Sequence, residues 1–137
     1  MKWTGSLIRI AEHEIEALRR RIGEIAGRRA EKQDELVRLA QEAITEAAFS
    51  HGDADAGWYL IGFREGWKQR KARVMAELAA IEMEEQGARD ALIQAYEDLK
   101  KVEHVAEAAR IVEVKEAARR ETAVLDEMAQ RQSRRAG

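Results

Sequence analysis

Apolar residues recur every seven positions through the first part of this chain. Ile8, Ile15, Ile22, Arg29, Leu36 and Ala43 form one series, and Ala11, Leu18, Ile25, Lys32, Leu39 and Glu46 form its partner, offset by three. These are the a and d positions of a coiled-coil seam, and a strand or loop has no use for such a period. The seam is imperfect, because Arg29 and Lys32 place a charged layer in it, with small residues such as Ala26 nearby. The chain contains no proline, which removes the commonest interruption of a long helix. The pattern predicts a first helix over about residues 4–50, with Ser6 as its N-terminal cap and Thr4 as the rival.

His51-Gly52-Asp53-Ala54-Asp55-Ala56-Gly57 is the one place where glycine and turn-forming acids cluster. Gly52 can end a helix in the left-handed conformation, and Asp53 or Asp55 can cap the next. A connection this short makes the flanking helices antiparallel neighbours, so a tip is predicted at about residues 51–56. The second helix is predicted over about 55–130. Val74, Ile81, Ala88, Ala95, Val102 and Ala109 form one of its series, and Leu78, Glu85, Leu92, Leu99 and Ala106 the other. Farther on, Ile111, Val114, Ala118, Leu125 and Met128 are out of phase with both, as expected where a helix turns to a different neighbour. The fold class is therefore all-α, a single coiled-coil domain of two long antiparallel helices. About 45 residues pair against about 75, lengths on the order of 70 and 110 Å at the helical rise. The surplus at the C-terminal end is left without a partner in the chain, and residues 131–137 are expected to be a disordered tail.

Charged residues make up 36% of the chain, yet the formal net charge is −2. Mixed signs of this kind belong to solvated helix faces and do not single out nucleic acid as a partner. No apolar run is long enough to span a membrane, and the N-terminal residues do not form a secretion signal. With no cysteine, thiolate metal sites, disulfides and a cysteine nucleophile are excluded. His13, His51 and His104 stand in no metal-binding pattern, and neither a phosphate loop nor a dinucleotide fingerprint is present. Glu113 and Glu116 share a face, but a di-metal bundle needs Glu-x-x-His motifs converging from several helices. No enzyme activity, metal or cofactor is expected.

Two regions depart from the uniform pattern. Phe49, Trp58, Tyr59, Phe63 and Trp67 crowd around the tip. Trp58, Tyr59, Phe63 and Trp67 cannot all enter a two-helix seam, so one or two of these four remain partly exposed. The cluster seals the tip as a small core or offers anchors to a partner, and the two readings are compatible. Gly62 and Gly66, on the face of Trp58, leave backbone open for close packing. Arg64, Lys68, Arg70, Lys71 and Arg73 follow, either as a solvated face or as a dock for an acidic protein surface. The second region is Arg119 to Ala129, where Leu125 and Met128 form an apolar stripe bordered by Arg119, Arg120, Asp126 and Glu127.

The opening Lys2-Trp3 through Leu7-Ile8-Arg9-Ile10, and the late Arg120-Glu121 followed by Leu125-Asp126-Glu127-Met128-Ala129, resemble the FliJ family of alphaproteobacterial type. That family is the soluble stalk component and chaperone of the flagellar type III protein-export apparatus. The resemblance implies a cytoplasmic, non-enzymatic hairpin, monomeric in solution and peripherally associated with the inner membrane at the flagellar base. Its partners would be the hexameric export ATPase, the membrane export gate protein and the export chaperones, with no nucleic acid and no direct membrane insertion. By this analogy Arg9, Val114, Arg119, Arg120, Leu125, Asp126, Glu127 and Met128 face the ATPase. Trp58, Tyr59, Phe63, Trp67, Arg64 and Lys68 serve other partners, and that placement rests on this sequence alone. A generic coiled-coil scaffold and the equivalent stalk of a virulence secretion system are the alternatives.

Overall fold

The computed structural model describes residues 2–49 and 56–136. It contains two α-helices, α1 (Lys2–Phe49) and the longer α2 (Ala56–Ala136), packed against each other. The predicted tip, with its proposed caps Gly52, Asp53 and Asp55, lies outside the described residues.

Every position of the two predicted seams is buried or half-buried, from Ile8 to Glu46 on α1 and from Val74 to Ala109 on α2. The start of α1 differs from expectation. Ser6 and Thr4 both lie inside the helix, so neither caps it. Thr4 stands seven residues before Ala11, extends the same series by one layer, and is buried. Burial of that layer carries the helix past the residues whose side chains would otherwise have stopped it. At the other end α2 continues as helix through residues 131–136. No proline or glycine stands between Gly87 and Gly137, and Arg134 and Arg135 place positive charge at the negative end of the helix dipole.

Two compact units can be distinguished, one built from Glu16–Ile93 and the other from Met1–Ile15 with Gln94–Gly137. The core of the first is Ile25, Ile81 and Ala88, with Ile22 packed against them, and Leu39 and Val74 buried nearer the tip. In the second, Thr4, Ile15 and Ala95 are buried. Burial stops abruptly after Ala109: from Arg110 to Ala136 every residue except the half-buried Glu116 is exposed.

Candidate functional sites on the two helices

In the Glu16–Ile93 unit the charged seam layer has found its counterions. Arg29 Nη1 donates to Glu85 Oε1, and Arg89 approaches the same carboxylate at 3.3 Å. Lys32 lies between Glu77 and Glu35, and hydrogen bonding to these carboxylates, Glu77 foremost, raises its pKa. Beside this layer runs an exposed ionic flank. Arg28 pairs with Glu84 at 2.8 Å, and Arg70 pairs with Glu42 at 2.9 Å, an interaction that raises the Arg70 pKa. Elsewhere on the same unit Val37 and Ile44 of α1 and Ile61 and Met75 of α2 are exposed. The signal for Val37 and Ile44 was present in their own seven-residue spacing, one step off the seam.

The five aromatic residues near the tip separate by burial, and Phe49 is exposed. Trp58 is 88% exposed and Tyr59 is also exposed, while Phe63 and Trp67 are half-buried. The Tyr59 and Phe63 rings stack at 6.4 Å. Trp67 is tied to α1, its indole N–H donating to the Leu39 carbonyl at 2.7 Å, and Lys71 Nζ sits 5.1 Å from its ring centroid. Phe63, Trp67, Leu60, Ala43 and Ala47 line a cleft of about 220 Å³ with Arg64 and Lys68 at its rim. Gly62 and Gly66 are not sites of close helix approach. A Cβ at either would meet nothing within 4 Å, and both are exposed.

In the unit built from Met1–Ile15 and Gln94–Gly137, the apolar stripe changes sides. Ile111 follows the seam residue Ala109 by two positions, a turn of about 200° around the helix. Ile111, Val114, Leu125 and Met128 are all exposed, as are Arg119, Arg120, Asp126 and Glu127. Ion pairs one turn apart, Glu107–Arg110, Glu116–Arg119 and Glu127–Arg131, brace this stretch from within. Hydrogen bonding to Arg110 holds the Glu107 carboxyl below its ordinary value. Arg9 is exposed but lies within the paired stretch of α1, so it is separate from the stripe between Val114 and Met128.

Among the described residues no group of three His, Asp or Glu side chains could hold a metal ion, and no helix is long and apolar enough to cross a membrane. The family model described as flagellar FliJ protein matches residues 5–137. The chain belongs to the FliJ family. Flagellar FliJ proteins from two strains of Caulobacter vibrioides, NA1000 / CB15N and ATCC 19089 / CIP 103742 / CB 15, are each 46% identical to it over 132 residues, covering 96% of this chain and 95% of theirs. No solved structure matches it. The match to the FliJ family includes both the tip aromatics and the exposed C-terminal stripe.

Proposed function

We propose that this FliJ family member is a non-enzymatic stalk and chaperone of the flagellar protein-export apparatus. In this reading it binds the hexameric export ATPase, the export gate protein and export chaperones, and it works in the cytoplasm against the inner membrane at the flagellar base. The observation that carries the proposal is the abrupt end of burial after Ala109. Beyond it some twenty-seven residues of helix, Arg110 to Ala136, present Ile111, Val114, Leu125 and Met128 exposed, with none of the described residues burying them. An apolar stripe bordered by charge is suited to a partner groove. Its modest hydrophobicity favours reversible contacts over permanent ones. The central hole of an ATPase ring supplies such contacts from several subunits at once, and a stalk there biases them without chemistry of its own.

Charge reversal at Arg119 and Arg120 tests the assignment of this end. Both side chains are exposed, so Arg119→Glu with Arg120→Glu leaves the circular dichroism spectrum in place while weakening binding to the purified ATPase. Unchanged binding and unchanged ATPase stimulation would sink the assignment. The tip is given to the gate and the chaperones. Trp58→Ala with Tyr59→Ala removes two exposed rings, so thermal stability stays within about 0.5 kcal/mol of the parent. Capture of the gate protein or a chaperone falls. Normal capture by a variant with normal helicity would show that these rings serve no partner.

A further inference from the structure

The charges of the Glu16–Ile93 unit disagree about how α1 and α2 should be aligned. Arg28 faces Glu84 and Glu42 faces Arg70 on the exposed flank. Seven residues along from either pair, the same alignment sets Glu35 and Glu77, two like charges, at one level, where Lys32 pairs with both carboxylates. Sliding α2 back by one heptad, about 10 Å, would remove that conflict. Glu35 would face Arg70, Arg28 would face Glu77, and Arg21 would face Glu84. Arg21 already approaches Glu84 at 3.8 Å, so this carboxylate stands between its present partner and the alternative one.

The buried layer opposes the slide. It would carry Glu85, 8% exposed, away from Arg29 to the level of Ile22, and would leave Arg29 beside Leu78. Lys32 would move from Glu77 to the level of Arg70 and Lys71. A half-buried cation and a buried carboxylate would each lose a partner, which is far more costly than losing an exposed pair. The apolar seam residues offer less resistance, because isoleucine, leucine, valine and alanine recur at the same positions one heptad on. A polar residue inside a seam is a recognised means of fixing register at the expense of stability.

We propose that Arg29, Lys32, Glu77 and Glu85 form a register latch, holding the hairpin one heptad away from the alignment its flanking charges favour. Such a latch gives the hairpin two discrete alignments, and an acidic or basic partner surface that competes for Arg29 or Glu85 would move it from one to the other.

The natural absence of cysteine makes the test direct. Glu42→Cys with Arg70→Cys reports the observed alignment, and Glu35→Cys with Arg70→Cys reports the shifted one. Each pair removes one ion pair from the alignment it reports. In the otherwise unchanged full-length chain the first pair forms the disulfide readily and the second does not. Adding Arg29→Leu, Lys32→Leu and Glu85→Leu shifts the ratio toward the second by roughly tenfold, about what one extra flank pair and one relieved repulsion are worth. High salt, which screens the flank, reduces the shift. If the ratio of the two disulfides in the leucine background is the same as in the otherwise unchanged chain at low salt, the latch does not exist. Should the leucine variant lose helicity, Glu85→Gln serves with the same cysteine pairs: a rise in the second disulfide supports the latch, and no rise refutes it.

Discussion

Ile25→Ala lowers the stability of the hairpin by about 2–4 kcal/mol, measured by chemical or thermal unfolding followed by circular dichroism. Ile25 is the most completely buried large side chain, at 1% exposure, and it touches Ile81 and Ala88 across the seam. Three carbons are lost on substitution, and the alanine opposite cannot grow to fill the space. The loss is large for a domain whose whole stability is on the order of 5–15 kcal/mol. Ile10→Ala is the control. Its side chain is 63% exposed, so the same chemical change there costs no more than about 0.5 kcal/mol. Equal effects at the two positions would mean that the seam does not run where the burial pattern puts it.

The second large effect concerns the charged layer, and its sign depends on how the layer is dismantled. Arg29→Ala leaves the Glu85 carboxylate buried with only Arg89, itself exposed, to neutralise it. Glu85 Oε2 already has no hydrogen-bond partner among the described residues. A loss of about 2–3 kcal/mol follows, below the full cost of breaking a wholly buried pair because Arg29 remains about one-third exposed. Replacing both partners together, Arg29→Leu with Glu85→Leu, leaves no orphaned charge and adds apolar area to the seam. The unfolding midpoint of that double variant is equal to the parent's or higher. A double variant as unstable as Arg29→Ala would show that the ion pair itself holds the helices together.

The seams were legible in the sequence because a heptad series is a statement about which residues face inward, and nothing beyond the chain's own periodicity is needed to read it. Glu85 was identifiable as a seam residue in this way, and so were Arg29 and Lys32. Their pairing was not. Which glutamate on α2 meets Arg29 depends on the alignment of two helices, and the turn chemistry at residues 51–56 does not set that alignment to within a heptad. The same limit hid the conflict between Glu35 and Glu77. Thr4 misled as a capping candidate because its local preference is for a helix end, whereas its place in the seven-residue series, visible only on extending the seam backwards, buries it inside the helix. Gly62 and Gly66 misled for a related reason: spacing puts them on one face but does not say that the face is open, with nothing within 4 Å of a Cβ at either position.

The two candidate regions were legible to different degrees. Leu125 and Met128 could be read as an unpartnered stripe because the phase of Ile111 and Val114 breaks with that of Ala109. The structure adds that Ile111, Val114, Leu125 and Met128 are all exposed. For the tip aromatics, the expectation that some stay exposed holds for Trp58 and Tyr59. Trp67 could not have been singled out from its neighbours in advance, since its indole N–H bonds to a main-chain carbonyl of the other helix.

The central claim is that this FliJ family member acts by binding an export ATPase through the helix beyond Ala109. Affinity purification of the tagged full-length chain from its native cell, followed by mass spectrometry, measures this most directly when run beside Leu125→Glu with Met128→Glu. The account predicts a hexameric export ATPase among the partners of the parent and its depletion from those of the variant, with both chains equally helical. Absence of the ATPase from the parent's partners, or its undiminished recovery with the variant, would contradict it.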